Sequence, residues 1–354
     1  MKHGLVIGKF YPPHAGHHHL VRAAARAAAR VTVVVMAAHV ESLGLEERVR
    51  WMREVHATDP NVTVTGIWDD HPVDYQSDAI WRAHVDLMRE AVSGVTSEPV
   101  DTVFTSEIYG EELARRLDAR HVLVDLERAA VAVSGTAIRA DHGRYWPMLA
   151  PCVRAHLSLR VVLVGAESTG KTTLAAALAA RLRERGAPLS ATTWVREIGR
   201  DVTLEKLAKV GGSMEALTWA TSDFVRIAAA QASLEAEGAR GDSPIVVCDT
   251  DAFATGIWHE RYTGASSAEV DALGAAAPHH LYLLTHHDDV PFVQDGVRDG
   301  EHIRAWMTSR FVERLVETGR TWQLCRGSRE VRLENATAAV LARYASIGFA
   351  PPLG

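Results

Sequence analysis

Short apolar runs alternate with longer amphipathic stretches along this chain, and the alternation starts twice. In the first half, Leu5–Ile7 reads as a short strand, and a helix is expected from about His17 through RAAARAAAR, since Ala and Arg both favour helix. Val31–Met36 is almost continuously β-branched, the mark of a strand buried on both faces. The period is then helical in LEERVRWMREV from Leu45, extended in VTVTGIW from Val62, helical in AIWRAHVDLMREAV from Ala79 and extended in VDTVFTS from Val100. EELARRLD follows as a helix and HVLVDL as a strand. Strand and helix alternating at this rhythm predict a parallel, doubly wound sheet.

The pattern restarts at Arg160–Gly165 (RVVLVG), a strand ending in glycine, with the helix TTLAAALAARLRERG behind it. TTWVRE, PIVVCDTD and HHLYLLT read as further strands, and TWATSDFVRIAAAQASLEAEG, from Thr218, as one long helix. Asp288–Arg304 is polar and turn-rich, the composition of a lid or loop. The tail from Glu330 is expected to give a short strand and one helix. Pro147 and Pro151 interrupt the stretch between the halves, which places the boundary there and predicts α/β domains at 1–155 and 156–354. Each is expected to be a doubly wound parallel sheet.

Composition narrows the function classes. With 47% hydrophobic and 23% charged residues the chain is an ordinary globular one. A net charge of -6 argues against a protein whose main task is gripping a nucleic-acid backbone, though local Lys, Arg and His suffice for small anions. The 3 cysteines, Cys152, Cys248 and Cys325, form no CxxC pair, and Cys248 in PIVVCD reads as a buried thiol. The amino terminus reads as a first strand and not as a signal peptide, and no apolar run approaches a membrane span, so a cytoplasmic protein is expected.

Two strand-to-helix junctions carry candidate chemistry. In GKFYPPHAGH, Gly8–His17, the prolines stop the strand, Gly16 allows a tight turn, and His14 and His17 stand at a helix entrance. Unpaired N–H groups there attract phosphate, and two imidazoles beside them can stabilise charge spreading over an α-phosphate, with no covalent intermediate. Gly8, Lys9 and Phe10 are expected to border the same nucleotide, Lys9 as a further cation. Downstream, Ser134 and Thr136 can cap a helix while Arg139 holds phosphate oxygens. His18 and His19 are expected at the surface, with contact of His18 to the same site as the alternative. These motifs resemble the (H/T)xGH and SxTxxR signatures of the nucleotidyltransferase superfamily, which includes the nicotinamide mononucleotide adenylyltransferases.

The second junction, GAESTGKT from Gly165, fits GxxxxGK[ST] without exception, a match expected by chance in roughly one per cent of chains this long. Backbone N–H groups along Gly165, Glu167, Ser168, Thr169, Gly170 and Thr173 would cradle phosphates, Lys171 would neutralise them, and Thr172 would ligate Mg²⁺. Asp249, ending an apolar strand, is placed as a second magnesium ligand, with Asp251 competing for the role. Glu197 closes a strand where an acceptor hydroxyl would be oriented or deprotonated, or forms an exposed salt bridge with Arg196. Arg298 and Arg304 in the lid-like stretch are candidates to cover the transferring phosphoryl or to be solvated. Trp219, Asp223, Phe224 and Gln231 recur on one helix face. Phe224 reads as core, and Trp219 as a platform for a flat ring.

HxGH, then SGTxIR, then a P-loop is an order that resembles the NadR family of NAD biosynthesis. The likeness covers essentially the whole chain, resting on GKFYPPHAGH, TSEIYG, VSGTAIR, GAESTGKTT, VREIGR, TWATSDF with Gln231, CDTD and VPFVQDGVR. It implies an HxGH nucleotidyltransferase domain of Rossmann-like fold followed by a P-loop nucleoside kinase domain, with ATP and Mg²⁺ as cofactors. The kinase would phosphorylate nicotinamide riboside to the mononucleotide (NMN), and the transferase would adenylylate NMN to NAD. Some members carry an amino-terminal helix-turn-helix. Here the first strand begins close to Met1, so small molecules rather than nucleic acid or membrane are the expected partners, and a homo-oligomer is compatible. Two other readings stand beside this one: a nucleotide-binding regulator or NAD sensor with little turnover, and a kinase–nucleotidyltransferase fusion acting on another acceptor.

Overall fold

The computed structural model describes residues 1–127, 129–211, 214–295 and 297–353, with residue 215 described by its backbone alone. The chain forms two compact units, Met1–Val153 together with the residues from Gly348, and Arg154–Ile347.

The first unit runs β1 (His3–Gly8), α1 (Ala15–Ala27), β2 (Arg30–Ala37), α2 (Leu45–Val55), β3 (Val62–Trp68), α3 (Asp78–Ser93), β4 (Thr102–Thr105), α4 (Gly110–Arg116), β5 (Arg120–Leu123) and α5 (Gly135–Ala140). Its five strands are ordered β3-β2-β1-β4-β5, and every pair is parallel. β2 is buried along almost its whole length, as its β-branched run requires. Alternate residues feed two cores. Val6 and Val33 pack with Leu20, Val21 and Met52 on one face, and Leu5 and Val34 with Trp81, Val85 and Leu113 on the other. Gly66 lets α2 lie against β3, since a Cβ there would come within 2.6 Å of Val49 and 2.7 Å of Leu45. The order reverses between β1 and β4, and in such sheets the crevice beyond the strand ends at that point takes ligands.

Pro151 opens α6 (Pro151–Leu157), a position that suits proline because its missing N–H would have no helical partner. The second unit continues with β6 (Leu159–Val164), α7 (Lys171–Arg183), β7 (Thr193–Val195), α8 (Ile198–Val210), α9 (Thr221–Ala239), β8 (Ile245–Cys248), α10 (Ala252–Thr263), α11 (Ala268–Leu273), β9 (His280–Thr285), α12 (Arg304–Glu317), β10 (Trp322–Cys325) and α13 (Arg329–Ala345). Its sheet, β10-β9-β6-β8-β7, is also five-stranded and parallel. Val161 and Leu163 pack under Leu174, Leu178 and Val340 on one face, and Val162 and Val164 under Phe311 and Leu315 on the other. β6 is central, flanked by β8 and β9, so the loop leaving it lies among three strand ends.

The expected fold class of two parallel doubly wound sheets is the one observed. Details differ. The last strand is Trp322–Cys325, ahead of Glu330, and only a helix follows it. The long helix starts at Thr221, so Trp219 precedes it. The final residues pack with the first unit: the Tyr11 hydroxyl donates to the Ala350 carbonyl at 2.9 Å, and the Ala350 N–H reaches Ser42 Oγ at 3.1 Å. The three cysteines are buried, and among the described residues no helix is long and apolar enough to cross a membrane.

Candidate active sites

In the first unit β1 delivers the chain into a tight loop. Phe10 is buried in a left-handed conformation (φ 47°), and its ring meets His17 edge-on at 4.9 Å. His14 caps α1, accepting the Gly16 N–H at 3.2 Å, and stacks on His17 with ring centroids 3.7 Å apart. Across the crevice Ser134 caps α5 by accepting the Ala137 N–H at 3.1 Å. Arg139 donates 2.7 Å to the Tyr11 carbonyl and 3.1 Å to the Thr136 hydroxyl, which ties α5 to the HxGH loop. His14, His17, Ser134, Thr136 and Arg139 line one cavity, with His19, Glu107 and Asp125 completing its wall. Two imidazoles, a guanidinium and a helix amino terminus facing one cavity make an anion site.

Gly8, Lys9 and Phe10 are not in that wall. The Lys9 ammonium lies 3.4 Å from Glu41 and donates to the Leu353 carbonyl, and Phe10 packs beneath His17. His18 and His19 are not both surface residues. His18 is buried 3.1 Å from His56, which lies 2.7 Å from Asp59, and burial with the neighbouring His56 lowers His18 to about 3, so it is neutral. A pair that sequence reasoning passed over supports the loop. Arg48 and Glu41 form a fully buried ion pair at 2.7 Å, and Arg48 also donates 2.9 Å to the Lys9 carbonyl. Nothing local marks it, because Arg48 sits in a helix that reads as amphipathic.

In the second unit the loop from β6 to α7 has the backbone of a phosphate cradle. Gly165 has φ +144°, and a Cβ there would fall 2.5 Å from the Thr285 hydroxyl, so only glycine fits. Gly170 (φ +81°) caps α7. The Lys171 ammonium rests on the carbonyls of Gly165 (3.0 Å) and Ala166 (2.8 Å). The Thr169 hydroxyl meets Thr285 at 2.6 Å, and Arg332 from α13 donates 2.9 Å to the Thr169 carbonyl. Arg332 is a positioning group that no motif announced.

Asp249, just past β8, is 2% exposed and hydrogen-bonded to Thr172. Burial lifts its carboxyl to about 6, with the Thr172 hydrogen bond opposing and nearby Glu197 adding. Among the described residues nothing hydrogen-bonds its Oδ1. A buried carboxylate with an unpartnered oxygen next to the P-loop hydroxyl is the donor set a hard divalent cation needs, so these residues fit Mg²⁺. Asp251 is committed elsewhere: it caps α10 through the Ala254 N–H at 2.8 Å and accepts the Tyr282 hydroxyl.

Lys171, Thr172, Glu197, Trp219, Tyr262 and Arg298 line a single cavity with the P-loop residues Glu167 to Thr173. Desolvation raises the Glu197 carboxyl above its ordinary range, with Lys171 and Arg200 pulling the other way. Gln231 sets that wall from beneath, accepting the Ile198 N–H at 3.0 Å and donating to the Thr250 carbonyl at 3.4 Å. Trp219 packs 5.3 Å from Tyr262 and 5.4 Å from Phe224, which also borders the cavity. Asp223 is spent on the Ala220 N–H and on Lys206. Glu167 faces the lid-like segment, accepting from Arg261 (2.9 Å) and from the Gly300 N–H (2.8 Å). Ser168 accepts the Val293 N–H at 2.9 Å. Arg298 borders the cavity, whereas Arg304 is buried and donates to the carbonyls of His287 and Val290, both at 2.7 Å. Gly296, inside the lid-like segment, lies outside the described residues.

Comparison with known proteins matches residues 5–141 to the cytidylyltransferase-like family and residues 160–332 to an AAA domain. Trifunctional NAD biosynthesis/regulator proteins NadR from Salmonella typhimurium and Escherichia coli are each 26% identical, over 307 and 308 residues, covering 83% of this chain and 71% of theirs. A solved NadR protein in complex with NR shares 20% identity with a TM-score of 0.70. Another, in complex with NAD and AMP-PNP, shares 21% with a TM-score of 0.69. Each alignment covers 97% of this chain and 96% of the other, and establishes a likeness of fold.

Proposed function

Since the chain is homologous to the NadR proteins, we propose that it is a bifunctional transferase of NAD biosynthesis, working on small molecules in the cytoplasm. The P-loop unit transfers the γ-phosphoryl of ATP to the 5′-hydroxyl of nicotinamide riboside. The HxGH unit joins the resulting NMN to the adenylyl group of a second ATP, giving NAD and pyrophosphate. The observation that carries this reading is the pair of separate phosphate cavities, one with a P-loop and an aromatic wall, the other with two stacked imidazoles and Arg139. The pyridine acceptor comes from the homology; the Trp219–Tyr262 wall is compatible with a flat ring.

In the kinase step, backbone N–H groups of Glu167 to Thr173 cradle the phosphates, and Lys171 exchanges its loop carbonyls for phosphate oxygens. Thr172 and Asp249 would hold Mg²⁺, which supplies charge neutralisation on the phosphates. Glu197 orients the acceptor hydroxyl and takes its proton as the new P–O bond forms and the bond to ADP breaks. Trp219 stacks on the base, and Arg298 covers the transferring group. In the adenylyl step a phosphate oxygen of NMN attacks the α-phosphorus and pyrophosphate leaves. His14, His17 and Arg139 donate hydrogen bonds to the oxygens on which charge builds.

The test supplies ATP and nicotinamide riboside, alongside nicotinic acid riboside and common nucleosides, and resolves the products chromatographically. Lys171→Ala is expected to stop phosphorylation while NMN plus ATP still yields NAD, and His17→Ala to do the reverse. Loss of both activities from one substitution in a folded protein would refute the two-site assignment. Binding of ATP or NAD without turnover at either site would favour the regulator instead.

A further inference from the structure

We infer that Asp69, His71 and His84 form a binding site for a divalent transition-metal ion on the first unit. Three elements bring them together. Asp69 directly follows β3, and its N–H donates 2.8 Å to the Ala37 carbonyl of β2, so the sheet sets where its carboxylate stands. His84 is carried in the middle of α3, and His71 lies on the segment between. Asp69 Oδ1 faces His71 Nδ1 at 2.9 Å and Oδ2 faces His84 Nδ1 at 2.5 Å, with one ligand atom from each residue within 4.8 Å of the others. Ligands around zinc stand about 2.0–2.2 Å from the metal, so the three side chains would spread apart to admit the ion.

The second observation is orientation. His84 Nε2 lies 3.1 Å from the Pro72 carbonyl, so the ring is held with Nδ1 turned to the Asp69 carboxylate. An outer N–H donated to a backbone carbonyl is also the contact that orients a metal-bound imidazole. Two imidazoles and one carboxylate suit Zn²⁺, Co²⁺ or Ni²⁺ and are a poor set for Mg²⁺. The Asp69 side chain is 8% exposed and that of His84 16%, whereas that of His71 is 45% exposed, which gives an entry path. The bound ion would clip the segment after β3 to α3.

The experiment uses the full chain without an affinity tag, stripped with chelator, then titrated with Co²⁺ in the visible and with Zn²⁺ against a chromogenic chelator. One equivalent with cobalt d–d absorption is expected. It should persist in a His286→Ala/His287→Ala variant, which removes the other candidate cluster, His286-His287-Asp288 in the second unit. His84→Gln and Asp69→Asn should weaken it by on the order of a hundredfold or more. Circular dichroism checks their folding, and the exposed His71→Asn decides if either fails. Absence of binding would overturn the site. Binding unchanged in His84→Gln and His71→Asn, or lost in the His286/His287 variant, would equally overturn the site. NAD synthesis is assayed separately, so this inference and the proposed function fail independently.

Discussion

Replacing Asp249 with Asn separates what this carboxylate does for chemistry from what it does to stability. Burial lifts Asp249 from the ordinary 3.8 to about 6. The folded state therefore binds its proton more tightly than the unfolded chain, which fixes the sign. Below pH 3.8 both states are protonated and nothing is lost. Between 3.8 and about 6 the unfolded chain ionises first, and folding loses ground as pH rises. Above about 6 the loss is complete. At about 1.4 kcal/mol per pH unit, this displacement amounts to roughly 3 kcal/mol at pH 8. Asparagine is nearly isosteric, stays neutral and keeps an oxygen for Thr172.

The nucleotide-free Asp249→Asn protein should therefore gain stability in its P-loop unit at pH 8, by up to about 3 kcal/mol, and the gain should shrink towards zero near pH 4. Urea titrations or calorimetry of the full chain at pH 4, 6 and 8, without magnesium or nucleotide, measure it. The same substitution should lower riboside phosphorylation by on the order of a hundredfold or more and leave adenylyl transfer intact. Magnesium and ATP should stabilise the wild type far more than the variant, because they bind the ionised site. A variant no more stable than wild type at pH 8, or one whose advantage does not change with pH, would refute the burial argument. Retained phosphorylation would remove Asp249 from the metal site.

Gly165→Ala forces a side chain into a φ of +144° against Thr285, and should destabilise the P-loop unit by on the order of 1–3 kcal/mol or more, read as a lower unfolding temperature with loss of kinase activity. Trp219→Ala removes the aromatic platform beside Tyr262, and should raise the KM for the nucleoside about tenfold with a smaller change in kcat, measured by initial rates at saturating ATP. Glu41→Ala leaves Arg48 buried without its partner, and should cost the first unit about 3–5 kcal/mol, seen as early loss of adenylyl transfer on heating while phosphorylation persists.

What could be read from the sequence, and what could not, divides along a physical line. Both sheets were legible because their central strands are apolar runs bounded by turns, and the P-loop because its loop and helix are contiguous in the chain. Helices without a polar–apolar stripe were not. α8 buries only Val202 within Ile198–Val210, and α10 is buried on nearly every side from Ala252 to Ile257, so neither shows a helical period. Groups that work through distant partners were also hidden: Arg332 reaches Thr169 across 163 residues, and Gln231 braces the wall that carries Glu197. Lys9 shows the converse, since a cation next to a phosphate motif is tempting until Glu41, supplied by the turn after β2, takes it. The choice between Asp249 and Asp251 makes the limit sharpest. Strict strand alternation would point both to one side of the sheet. β8 ends at Cys248, however, and the chain turns into α10, so Asp249 is left facing Thr172 while Asp251 becomes a helix cap held by Tyr282. Where a strand stops decides which carboxylate faces the P-loop threonine, and strand ends are what periodicity resolves least well.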